Sequence, residues 1–202
     1  MDGVVGAITY IERISRGLFA AVLVGLATPA IAQPLNAQQD VTGWRSTLMF
    51  IQSGVTQDNT HSYTIGATWN WKWRREYSFA AATGYSEFSV GRWETPNGSE
   101  GGKDWVTQVG ITPVIRLHPY SQFSNWFLEG GVGLNVILPV YRNDEKRFST
   151  EFNFGDHIGI GREFGQSNQQ EVVLRLQHFS NAGLKEPNPG ENFLQFRYSS
   201  RY

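Results

Sequence analysis

The sequence predicts an all-β protein, an eight-stranded antiparallel transmembrane β-barrel, and three observations carry that expectation. Apolar and polar residues alternate with a period of two in segment after segment. Aromatic residues make up 14% of the chain and glycine occurs 22 times. The chain begins like a secreted protein and ends on an alternating strand with a terminal aromatic, Tyr202. A mean hydropathy of −0.34 fits such a barrel, because half of each strand faces a polar interior and the average conceals the apolar face.

The N-terminus reads as a targeting segment. Arg13 and Arg16 precede an apolar run from Gly17 to Thr28, too short to span a bilayer comfortably, and Ala30-Ile31-Ala32 is a small-x-small cleavage signal. The expected organisation is a signal peptide over 1–32 and a barrel over 33–202. Cysteine is absent, which excludes disulfides, thiol catalysis and cysteine-bound metal. A formal net charge of −1 gives no global basic surface for nucleic acid.

The strands follow in order. Thr47–Thr56 is the first. Tyr63–Arg74 is the clearest, with Tyr63, Ile65, Ala67, Trp69, Trp71 and Trp73 on one face and Thr64, Gly66, Thr68, Asn70, Lys72 and Arg74 on the other. Three tryptophans ending at Arg74-Arg75 suit a girdle at the membrane–water interface. Glu76–Arg92 and Trp105–Leu117 come next. In Trp126–Val136, Glu129 and Asn135 argue for an inward polar face. Thr150–Glu163, Glu171–Ser180 and Asn192–Tyr202 complete the set, a number and length suited to a small closed barrel. Gln57–Asn59, Glu94–Lys103, Arg142–Arg147 and Ala182–Gly190 are the longer loops, expected outside the cell; Arg74–Glu76, His118–Asn125 and Gly165–Gln170 are the opposing turns. His61 and His118 fall in loops or turns, and His157 falls on the inward face. Asp58, Glu100 and Asp104 read as solvated loop charges, so no metal site is expected. Glu129, Arg175, Arg197 and Arg201 are expected to form an inward ion network.

The chemical signal is His178-Phe179-Ser180-Asn181-Ala182-Gly183-Leu184. His178 and Ser180 continue the face of Val172, Leu174 and Leu176, which on a membrane barrel looks into lipid. Polar residues there are costly unless paired or at the interface. Two residues apart on one strand face, an imidazole can take a hydroxyl proton. Such a site also needs a group that fixes the imidazole tautomer and donors for an oxyanion. Asn181, Ala182 and Gly183 follow in a turn where such donors can converge. The same Ser-Asn-Ala-Gly run is equally ordinary turn chemistry, so the residues alone leave both readings open.

The run from His178 through Lys185-Glu186-Pro187-Asn188-Pro189-Gly190 resembles the signature of the PagL family of outer-membrane lipid A 3-O-deacylases. Gly110–Val114 and Phe152–Gly159 resemble that family as well. The resemblance implies an eight-stranded barrel that hydrolyses the ester-linked acyl chain at position 3 of lipid A with a Ser-His-Glu triad and no cofactor. His178 would be the general base, Ser180 the nucleophile, and Asn181 and Gly183 would lie at the oxyanion hole. The family's acid falls at Asn192, one residue after Glu191. Parity puts Asn192 outward and Glu191 inward. A carboxylate suits an imidazolium better than an amide, so the expectation is that Glu191 orients His178, with Asn192 and Asp156 as alternatives. The implied partners are lipopolysaccharide, the outer membrane and the barrel assembly machinery; a homodimer is compatible with the sequence. Two other readings compete: a non-enzymatic structural or adhesion barrel, and a secreted ligand-binding barrel with apolar residues inside.

Overall fold

The computed structural model describes residues 48–98, 102–120 and 125–201; the expected signal peptide over 1–32 lies outside them. Eight strands follow one another: β1 Leu48–Val55, β2 His61–Glu76, β3 Ala80–Asn97, β4 Gly102–Pro119, β5 Trp126–Leu138, β6 Phe152–Phe164, β7 Gln170–Ser180 and β8 Glu191–Ser200. Each pairs antiparallel with the next, and β1 pairs with β8 from Met49↔Ser200 to Val55↔Leu194, which closes the barrel. Closure leaves no sheet edge, the condition for a β-structure in lipid.

The two faces answer the question that parity left open. Ile51 (62% exposed), Ile65, Leu174 and Phe196 (53%) point outward, while Gln52, Thr64, Arg175 and Arg197 are buried inside. A soluble ligand-binding barrel would show the reverse. The outer wall is therefore an apolar band.

The interior is filled. Arg116 bridges Glu129 at 2.8 Å and Glu171 at 2.7 Å. Arg175 reaches Glu87 at 3.1 Å and Glu129 at 2.5 Å, and Arg197 reaches Glu87 at 2.6 Å. Tyr85 donates to Glu129 at 2.9 Å. Arg201 stands apart from this network: β8 ends at Ser200, so the alternation that would turn Arg201 inward has stopped, and the residue is exposed. Above the ions lies an amide layer where Gln108 donates to Asn135. A plug of Trp93, Val106, Ile137, Tyr141, Phe148, Phe179 and Phe193 then closes the end nearest Ser180.

Three boundaries differ from expectation. The segment Glu94–Lys103 is not a loop over its length, because β3 and β4 stay paired out to Asn97↔Gly102. His61 opens β2 and His118 lies within β4. The β2–β3 ladder shifts between Asn70 and Arg74, so regular alternation is interrupted across Trp71 and Trp73. There Trp71 donates to Ser86 Oγ at 2.9 Å and covers Gly84, where a Cβ would fall 2.2 Å from the indole.

Candidate active site

His178 and Ser180 close β7 on its outward face, both half-buried. The register is unbroken on either side. His178 lies opposite Asp156 of β6 and Asn192 of β8, and Ser180 lies opposite Phe154. His178 Nδ1 and Asn192 Oδ1 are 2.8 Å apart. An amide oxygen only accepts, so Nδ1 carries the proton and Nε2 is left free to take one. Asn192 is thus the side chain that meets Nδ1 of the ring. Ser180 forms no hydrogen bond with His178 in this structure; such bonds commonly tighten only when substrate binds.

Glu191 does not orient His178. It continues the inward row of Phe193, Gln195 and Arg197 and is wholly buried. No bulge turns it outward, since Phe179↔Glu191 and His178↔Asn192 are consecutive pairs. Its carboxylate accepts from Tyr141 at 2.8 Å and from Lys146 at 3.0 Å. It also accepts from the backbone N–H of Asn192 at 3.0 Å, so it fixes the chain beside the His178 contact from within.

The loop 181–190 carries the expected oxyanion residues, but their donors are committed. Asn181 is buried; its Nδ2 donates to Ser149 Oγ and to the Lys185 carbonyl, and its Oδ1 accepts from Gly183 N–H at 2.9 Å. Asn181 N–H donates to Asn188 Oδ1 and Leu184 N–H to the Asn181 carbonyl. Among amides 181–184, Ala182 N–H makes no such bond, and Ala182 takes the left-handed conformation with φ 55°. Asn181 is a hub that shapes the turn after Ser180 and ties it to Ser149.

Sequence reasoning missed Gly190. Its φ is +67°, and a Cβ there would stand 2.6 Å from His178 Cε1 and 3.2 Å from Nε2. The signal was available, since Gly190 follows Pro189 at a strand entry, yet only the folded loop shows that its bare backbone lies against the imidazole. Lys146 and Tyr141 were missed too. Both lie in the β5–β6 connection, far in sequence from the Glu191 they hold.

The family model for lipid A 3-O-deacylase (PagL) matches residues 61–201. A lipid A deacylase PagL of Bordetella bronchiseptica is 31% identical over 180 residues, covering 89% of this chain and 95% of that protein. A lipid A deacylase PagL of Pseudomonas aeruginosa is 33% identical over 139 residues, covering 68% of this chain and 76% of that protein. Among solved structures, the outer-membrane enzyme PagL superposes with a TM-score of 0.67 at 26% identity, covering 77% of this chain and 99% of that one.

Proposed function

Because this chain belongs to the PagL family, we propose that it is a lipid A 3-O-deacylase of the outer membrane, with Ser180 as nucleophile and His178 as general base. The observation that carries the residue assignment is the His178–Asn192 contact of 2.8 Å on the lipid-facing wall, two residues from Ser180 on the same strand face. His178 Nε2 takes the Ser180 hydroxyl proton as Oγ attacks the ester carbonyl. The same proton then passes to the leaving 3-oxygen of the glucosamine, and the released alcohol leaves an acyl-serine. Water, deprotonated by His178, cleaves that ester to give a free fatty acid and restores Ser180. Ala182 N–H is the amide left to meet the oxyanion, in the turn that Asn181 shapes.

The site opens onto the wall near one rim, the end with the 139–151 and 181–190 connections. The reading places that rim at the outer leaflet, where lipid A resides. A lipid held in one leaflet meets such a wall by lateral diffusion, without leaving the bilayer.

Ser180→Ala and His178→Ala test the assignment. Each should abolish release of a 3-hydroxy fatty acid from lipid A, read by mass spectrometry. Both should keep heat-modifiable gel mobility, because neither side chain fills the core. Folded variants that still deacylate would move the reaction elsewhere.

A further inference from the structure

The relay leaves one charge unaccounted for. Once His178 accepts the serine proton it is an imidazolium, and the neutral Asn192 amide aligns the ring without offsetting that charge. Three strands bring one polar row to the outer wall here. Asp156 on β6 pairs with His178 on β7, which pairs with Asn192 on β8. On one side lies an apolar row, Ile158, Leu176 and Leu194, all exposed; on the other lie Phe154 and Ser180.

A carboxylate on a lipid-facing wall is costly unless something nearby favours its charge. Among the described residues Asp156 has no ion-pair partner within 4 Å, and the group opposite it on β7 that can carry a positive charge is His178. Directly opposed side chains on neighbouring strands stand about 5 Å apart at Cβ, close enough for the two charges to interact in a setting largely without water. Gly190 and Asn192, which lie against the ring, are neutral, and Glu191 faces the interior with Lys146.

We propose that Asp156 is the charge-balancing member of this site, a positioning residue that acts through His178. The two tasks of a single triad carboxylate are divided between flanking strands: Asn192 fixes the ring and its tautomer, and Asp156 stabilises the imidazolium. Asp156 gains and loses no proton in the cycle; it makes the transfer from Ser180 Oγ to His178 Nε2 less uphill.

The inference rests on the hydrolase reading, so S180A is assayed beside the Asp156 variants in the refolded full-length protein, with purified lipopolysaccharide as substrate. Turnover in S180A would overturn the hydrolase reading itself. With S180A inactive, D156N should lower kcat by at least about tenfold, the effect of removing an opposite charge at this range, with KM little changed. D156L, apolar on an apolar wall, should do the same and guards against a folding artefact peculiar to one variant. Returning a carboxylate across the ring should then make Asp156 dispensable, so N192E and N192E/D156N should have equal kcat. Normal kcat in folded D156N and D156L would overturn the proposal. A loss that persists undiminished in the N192E background would overturn it too, since Asp156 would then act on something other than the imidazole.

Discussion

A single imidazole lies against two groups that differ in kind, an amide and a bare backbone, with a carboxylate opposite it on the next strand. Gly190 is the most constrained of them. Its φ of +67° disfavours any side chain, and a methyl would meet His178 Cε1 at 2.6 Å. Gly190→Ala should therefore displace the ring while leaving the strands paired. A misplacement of about 1 Å can cost on the order of 10²-fold in rate, so deacylation should fall by about that factor with heat-modifiable mobility retained. Asn192→Ala should cut kcat more deeply, towards the loss of about 10⁴ seen when a triad's orienting group is replaced. Glu191→Ala should act mainly on stability, leaving Lys146 and Tyr141 without their buried acceptor. Equal kcat losses in the two variants would refute this division. Parity in the sequence already distinguished these two residues. What misled the expectation was the chemical preference for a carboxylate beside histidine, which is sound but says nothing about which side of a strand a residue occupies.

At the scale of elements, the strands were legible wherever one face met lipid and the other the interior, because that contrast writes the period-two pattern. The β3–β4 hairpin was not legible past Arg92. Beyond Trp93 and Trp105 its far end, with Pro96 paired to Lys103, is rich in turn-forming residues, and both its faces there are polar or small. The cluster that joins the loops was invisible for another reason: it links the β1–β2 turn, the β5–β6 connection and the start of β8. Asn143 donates to Asp58 at 2.5 Å, and Lys146 lies 3.5 Å from Asp58 and 3.0 Å from Glu191. Burial pushes the Asp58 carboxyl up, but hydrogen bonds from Thr56 and Asn143 and the charge of Lys146 outweigh it and hold the group below its ordinary 3.8. A carboxyl depressed by folding stabilises the folded state above its unfolded value, and that contribution is lost as pH falls through the folded one. The cluster should be intact at neutral pH and loosen below about pH 3.8. Amide exchange in 56–60 and 139–150, corrected for its intrinsic pH dependence, should speed up there in the wild type but not further in Asp58→Asn.

At the scale of the whole molecule, an apolar exterior surrounds a charged and aromatic interior. Single-tryptophan variants should show the contrast. Trp126, on the outer wall, should be quenched by brominated lipid, and Trp93, 1% exposed within the plug, should not. Quenching of Trp93 would mean that the interior is not the sealed one described. Glu87 accepts from both Arg175 and Arg197, so Glu87→Ala leaves two buried guanidiniums short of a partner. Breaking a buried pair typically costs about 3–5 kcal/mol, and urea unfolding in lipid vesicles should show a loss of that order.

That network has a further consequence for how the barrel comes to be built. Glu87, Arg116, Glu129, Glu171, Arg175 and Arg197 come from β3, β4, β5, β7 and β8, three anions and three cations that cancel only when all five strands are seated together. A strand that slips by one residue turns its charged side chain out to lipid and its apolar row inward. The interior therefore acts as a combination lock on register. Wrong pairings are penalised before the first and last strands meet, and a chain released into the membrane carries the one alignment in which Asp156, His178 and Asn192 share a row.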